Sequence, residues 1–168
     1  MPTPQFVLDL RASIGQQPLP LPSVTAVVLD AAGRVLLVRR ADNDRWALVT
    51  GCLEPGEQPA AGALREVEEE TGVLVATERI VSVAALPLSA CPNGDQVYWL
   101  DVTFRCRVVG GEACVNDDES VDVRWCELSD LPSSLPDRHR QCLQDALSAS
   151  PEARFQVSST APAVPGAR

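Results

Sequence analysis

The chain has 168 residues, 45% apolar and 22% charged, which suits one globular domain large enough to bury a core. A net charge of −9 argues against sequence-independent binding of DNA or RNA, which needs a basic face. All 14 basic residues are arginine, which excludes chemistry built on a Schiff-base or P-loop lysine.

Residues 1–17 carry a short amphipathic pattern, Val7, Leu10 and Ile14, and predict an N-terminal helix. Pro18, Pro20 and Pro22 then break it. Val24 to Leu29 reads as a strand, Asp30 to Gly33 as a turn and Arg34 to Arg40 as a second strand, so a hairpin is expected. A polar loop, 41–45, precedes Trp46-Ala47-Leu48. Strand character returns over Val75 to Leu86. Cys91 to Asp95 is a turn, and Gln96 to Val109 a long alternating strand ended by Gly110-Gly111. Tyr98, Leu100, Val102, Phe104 and Cys106 share one face of it; Trp99, Asp101, Thr103 and the arginines 105 and 107 share the other. An acidic loop, 116–120, is followed by a strand over Val121 to Trp125. Glu127 to Leu131 begins a helix that Pro132 interrupts, and Arg138 to Ala149 is a C-terminal helix. The chain divides into a helical extension (1–20), one domain (21–150) and a flexible Pro/Ala/Ser-rich tail (151–168).

The most informative stretch is Gly51 to Val73, GCLEPGEQPAAGALREVEEETGV. Pro59 suits a first helical turn, Ala60 to Thr71 is rich in good helix formers, and Gly72 is a natural left-handed cap. At roughly 100° per residue, Glu66, Glu69 and Glu70 share one arc. Ala60, Ala63, Leu64 and Val67 gather on another and are expected to face the core; Glu68 points to solvent. Carboxylates at these spacings repel one another by a few tenths of a kcal/mol per pair. Two readings follow, a solvated acidic face or a site for a hard cation such as Mg²⁺ or Mn²⁺. Arg65 is placed to pair with Glu57 and to fix the Gly-rich loop against the helix.

Gly51, Glu57, Arg65, Glu66, Val67, Glu69, Glu70, Gly72 and Val73 match every defined position of the box of the Nudix hydrolases. A chance match in a chain of this composition is on the order of one in ten million, so the acidic-face reading requires an improbable coincidence. The stretch therefore resembles the MutT-like and ADP-ribose pyrophosphatase-like members of that family. The order of elements around it extends the resemblance over about residues 21–131. It implies an α/β fold, an α/β/α sandwich with a mixed sheet and a loop–helix–loop motif. It also implies metal-dependent hydrolysis of a nucleoside diphosphate linked to another group. Carried over by position, Glu66, Glu69 and Glu70 resemble metal ligands for Mg²⁺ or Mn²⁺, and Glu66 the base that takes a proton from water. Glu57 and Arg65 resemble the supporting shell and Gly51 a tight turn beside the substrate. Glu119 matches a further acidic ligand, with a solvated acidic turn as the alternative. Arg39 or Arg40 is a candidate phosphate contact. Trp46, Trp99 and Tyr98 are either base-stacking residues or core.

Many relatives carry Pro-Gly-Gly where this chain has Val49-Thr50-Gly51, so the loop backbone and the substrate are open to divergence. Pro87 lies near the place of a proline that marks ADP-ribose hydrolases. A non-catalytic nucleotide-binding module of the same fold is the alternative, although such modules often lose box glutamates and none is lost here. The partner expected is a small nucleoside diphosphate derivative (ADP-ribose, a nucleotide sugar or a modified nucleoside triphosphate), with no nucleic acid polymer. Relatives are often homodimers, which leaves a homodimer open. No apolar run approaches the roughly 18 residues of a membrane span, and the N-terminus lacks the basic and apolar regions of a signal peptide. Six cysteines without a CxxC pair, and His139 as the sole histidine, do not suggest structural zinc. A cytoplasmic protein with reduced thiols is expected, with Cys52 a small apolar filler.

Overall fold

The computed structural model describes residues 4–91 and 94–155. It contains α1 (Gln5–Ile14), β1 (Leu19–Leu29), β2 (Val35–Arg40), β3 (Trp46–Ala47), β4 (Val49–Cys52), α2 (Pro59–Thr71), β5 (Val73–Ala85), β6 (Ser89–Ala90), β7 (Gln96–Gly111), β8 (Ser120–Cys126), α3 (Asp137–Leu147) and β9 (Arg154–Phe155). Among the described residues, no helix is long and apolar enough to cross a membrane.

The continuous apolar run Val24–Leu29 marks a strand covered on both faces, and β1 is central. It runs parallel to β7 from Leu19↔Val97 to Leu29↔Arg107 and antiparallel to β4 from Ser23↔Cys52 to Ala26↔Val49. One face packs on α2: Val24, Ala26, Val28, Leu36 and Val38 meet Ala63 and Val67. The other packs on α3: Val27, Leu37 and Leu48 meet Cys142, Leu143 and Ala146. The result is the expected mixed sheet between helices, with nine strands among the described residues and the path β3-β2-β1-β7-β5-β9.

The expected hairpin closes at its turn, where the Asp30 N–H bonds the Arg34 carbonyl at 3.0 Å, but its ladder goes no further. β1 and β2 share a single residue pair, Leu29↔Val35, and β2 pairs instead with β8 along Val35↔Cys126 to Arg40↔Ser120. The reason is competition for an edge: β4 takes the flank of β1 that a hairpin partner would occupy. The strand expected from Val24 begins earlier, at Leu19, after the helix has ended at Ile14. Pro20 and Pro22 lie inside β1 with exposed side chains, in the stretch before β4 joins at Ser23, where no ladder donor is needed on that edge. No helix forms over 127–131; a single turn bond, Asp130 N–H to the Glu127 carbonyl, stands in its place before Pro132.

In the tail, Arg154–Phe155 lie parallel to Ser82–Val83 of β5. Residues 156–168, where the flexible tail is expected, lie outside the described residues, as do Pro92 and Asn93 of the 91–95 turn. That turn is closed by the Cys91 N–H to Asp95 carbonyl bond of 2.8 Å.

Helix α2 ends at Gly72, whose φ of 68° is the left-handed cap expected from the sequence. Its orientation differs from the helical-wheel reading. Leu64 is 36% exposed, whereas Glu66 and Glu70 are 1% and 2% exposed. The helix is rolled so that part of its acidic arc faces the sheet and Leu64 faces water. Burying two carboxylates in place of a leucine is costly without a compensating cation, which marks this face as functional.

Candidate active site

The polar ties between the motif loop and α2 converge on one side chain, while Leu53 of the loop packs against Ala63 and Val67. Arg65 donates to both oxygens of Glu57, from Nε at 2.8 Å and Nη2 at 2.9 Å. Its Nη1 donates to Glu66 Oε1 at 2.8 Å and to Glu69 Oε2 at 2.9 Å, and Nη2 also reaches the Cys52 carbonyl at 3.3 Å. Glu57 Oε2 accepts the Glu54 N–H as well, which closes the loop on itself. A planar five-donor fork suits such a hub; a lysine would contact one oxygen at a time. The fork holds the Glu57 carboxyl below its ordinary range. The pairing of Glu57 with Arg65 that the sequence predicted is thus present, and Arg65 also bridges two of the helix carboxylates.

A cleft of about 490 Å³ lies beside this loop, and Arg40, Thr50, Gly51, Glu66 and Glu119 line one end of it. Glu66 and Glu70 point inward from α2, and the acidic loop brings Glu119 to them. That loop is tied to α2 by Asn116, whose N–H bonds the Glu70 carbonyl and whose Nδ2 bonds the Glu68 carbonyl at 3.0 Å. The Glu119 carbonyl accepts the Ala41 N–H at 2.7 Å, which fixes it against the end of β2. Burial pushes the Glu66 carboxyl up to about 7, Arg65 opposing and Glu69 and Glu119 adding to the rise. Burial, with Glu66 and Glu119 close by, pushes Glu70 up to about 9. These carboxylates are crowded beyond what nearby arginines neutralise.

Gly51 is not a turn. It sits inside β4 opposite Val24, without a positive φ. A Cβ there would lie 1.8 Å from Glu66 Cδ and 2.0 Å from Oε1, so the glycine exists to let the Glu66 carboxylate lie against the strand. Gly51→Ala is expected to keep the fold, because the Glu66 side chain from Cγ outward, and no backbone, must move, and to lower turnover by about a hundredfold through displacement of Glu66. Circular dichroism and steady-state kinetics on the same preparation check both halves.

The other candidates divide. Arg40 faces the cleft on the side of Leu36 and Val38, and bonds Asp42 at 3.0 Å. Arg39 points to the opposite face beside Trp46, its strand partner, and pairs with Asp44 at 3.2 Å outside the cleft. Glu69 is on the rim, with its side chain 47% exposed. Trp46 is buried under Arg124 on the α3 side, whereas Trp99 lines the cleft.

Among the lining residues that escape sequence reasoning are Arg138 and His139 in the first turn of α3. Asp101 explains Arg138. This carboxylate is 2% exposed and accepts from Ser23, Thr25 and Thr103, while Arg138 Nη2 lies 2.7 Å from its Oδ2. An aspartate on an inward strand position demands a cation, and that demand is the one sequence signal of such a partner. His139 Nδ1 accepts the Leu48 N–H at 2.9 Å, and burial, with Arg138 near, lowers its pKa to about 3. It is therefore a neutral imidazole that carries its proton on Nε2.

As the side chains stand, no three acidic, histidine or cysteine groups among the described residues are arranged to hold a cation, since the Arg65 fork fills the space between Glu66 and Glu69. The donor set nevertheless fits a hard divalent ion. All its atoms are carboxylate oxygens, and Glu70 Oε1 is buried with no hydrogen-bond partner.

Residues 19–146 match the model of the NUDIX domain. The chain belongs to the Nudix hydrolase family. As a member it is an enzyme of the Nudix pyrophosphohydrolase class. It is 34% identical to a MutT-like protein of Streptomyces ambofaciens over 77% of this chain and 79% of that protein. It is 27% identical to an ADP-ribose pyrophosphatase of Methanocaldococcus jannaschii, over 70% of this chain and 68% of that one. Among solved structures it resembles the MutT protein from Methanosarcina mazei Go1 with a TM-score of 0.63 and 25% identity, covering 77% of this chain and 94% of that chain. The match leaves α1 outside the Nudix domain.

Proposed function

We propose that this Nudix hydrolase cleaves the pyrophosphate bond of a nucleoside diphosphate linked to a second moiety, with Mg²⁺ or Mn²⁺ as cofactor. The observation that carries the reading is the pair of buried carboxylates Glu66 and Glu70 with Glu119 close to both, beside a cleft that Glu66, Glu119 and Arg40 line. Glu66, Glu70 and Glu119, with Glu69 at the rim, would hold the cation. When bound, such ions neutralise phosphate oxygens and activate water. Arg40 supplies a fixed positive charge toward a phosphate. Glu66 accepts the proton as the water oxygen forms its bond to phosphorus and the bridging oxygen departs with the other phosphate. Glu57 and Arg65 position Glu66 without touching the substrate. Six cysteines free of disulfides suit a reducing, cytoplasmic setting.

The substrate candidates are ADP-ribose, a nucleotide sugar and an oxidised nucleoside triphosphate. The test is a screen of such compounds with Mg²⁺, in which the mass of both products shows which bond was cut. Hydrolysis is expected with metal, is lost in EDTA, and is lost in the double variant Glu69→Gln, Glu70→Gln. Tight nucleotide binding with no turnover under any condition would instead indicate a binding module.

A further inference from the structure

Helix α1 precedes the matched Nudix domain, yet Pro4 at its N-cap and Val7 in its first turn line the same cleft as Gly51 and Glu66. Val7 is 4% exposed and packs with Leu19, Leu21 and Val97, with Trp99 against the same cluster. One turn further, on the same helical face, Arg11 Nε lies 2.6 Å from Asp95 Oδ1, both side chains nearly buried. Arg11 Nη1 also donates to the Gly15 and Gln17 carbonyls at 2.9 and 2.5 Å. This latch ties α1 to the loop that opens β7, and breaking a buried ion pair from one side is strongly destabilising to the contact it holds.

The chemistry of this end of the cleft differs from that of the acidic end. Its wall is apolar, and its two nearby aspartates, Asp95 and Asp101, are engaged by Arg11 and Arg138. A second phosphate is poorly matched there; an uncharged flat ring is well matched. We propose that α1 is a specificity element of this enzyme, with Val7, positioned by the Arg11–Asp95 latch, forming the wall against which the nucleobase of the substrate packs. The inference rests on the cleft being the nucleotide site proposed above, and it places part of that site on a segment the family domain does not include.

The test uses the full chain. Binding of the four nucleoside monophosphates and of ribose 5-phosphate is measured by calorimetry in EDTA, where nothing is cleaved. KM and kcat follow with Mg²⁺ and the substrate found by the screen. Wild type is expected to bind at least one nucleoside monophosphate more tightly than ribose 5-phosphate. Val7→Glu is expected to weaken that binding by at least about tenfold and leave ribose 5-phosphate unchanged. Asp95→Asn, which preserves volume and serves if Val7→Glu disturbs the fold, is expected to raise KM by about three- to tenfold with kcat within about twofold. Unchanged nucleoside monophosphate binding in Asp95→Asn and in a folded Val7→Glu overturns the proposal, as does a wild type that binds ribose 5-phosphate equally well. If the binding pattern holds and no compound is hydrolysed, the pyrophosphohydrolase reading fails and the role of α1 stands.

Discussion

Glu66→Gln is expected to lower kcat by about a thousandfold while the folded protein becomes no less stable. The two halves have one cause. Glu66 is 1% exposed, and burial drives its carboxyl up to about 7, so the charged form is disfavoured in the native state. The sign follows from linkage: a carboxyl whose pKa is higher folded than unfolded favours the native state at low pH. That stability is lost as pH rises from the unfolded value toward 7. Above neutral pH the wild type carries this cost and the amide does not. The amide also retains an oxygen to accept from Arg65 Nη1. Chemical denaturation at pH 7.5 should place the midpoint of Glu66→Gln at or above that of wild type. Turnover near that of wild type would remove Glu66 from the role of base.

The second large effect is expected at Arg65, and it runs the other way. Arg65→Gln removes the one cation shared by Glu57, Glu66 and Glu69, and frees the Cys52 carbonyl. The loop 51–57 then loses its tie to α2, and the carboxylates repel one another. A loss of about 2–4 kcal/mol is expected, together with nearly complete loss of activity, because Glu66 is no longer held. Arg65→Lys restores the charge but not the fork, so it should recover part of the stability and little of the turnover. Urea unfolding of the three proteins, each with and without Mg²⁺, provides the check. A divalent ion that occupies the same carboxylates should raise the midpoint of Arg65→Gln more than that of wild type. Equal stability of Arg65→Gln and wild type would show that the hub does not hold the loop.

The two predictions separate roles that a list of motif residues merges. Glu66 is costly to the fold and needed for the chemistry; Arg65 is needed for the fold of the loop and acts on the chemistry through Glu66. Gly51 belongs with them, since its missing Cβ is the space the carboxylate occupies. The tight-turn role implied by resemblance is replaced by a packing role, and the substitution expected to reveal it is one that a fold measurement alone would miss.

What the sequence determined by itself is local. The helix 59–71 with its proline start and glycine cap, strands read at 75–86, 96–109 and 121–125 and found at 73–85, 96–111 and 120–126, and the C-terminal helix are legible from propensity and period. So is the pairing of Glu57 with Arg65, because both lie within one loop–helix unit. The chemistry class is legible too, because the box compresses its acids into a single helix. What only the tertiary structure decided is long-range. The roll of α2 against the sheet sent Glu66 and Glu70 inward and left Leu64 and Glu69 outside, a choice a helical wheel cannot make because both arcs are available to it. Strand alternation at Arg39 and Arg40 allowed either to face the cleft, and pairing of β2 with β8 selected Arg40. Glu119, Arg138 and Val7 come from a loop and two helices far apart in sequence, and periodicity carries no information about which distant segments share a cavity. Short-range forces write the elements into the sequence. The register of the sheet decides which of their side chains meet, and that register depends on the whole chain at once.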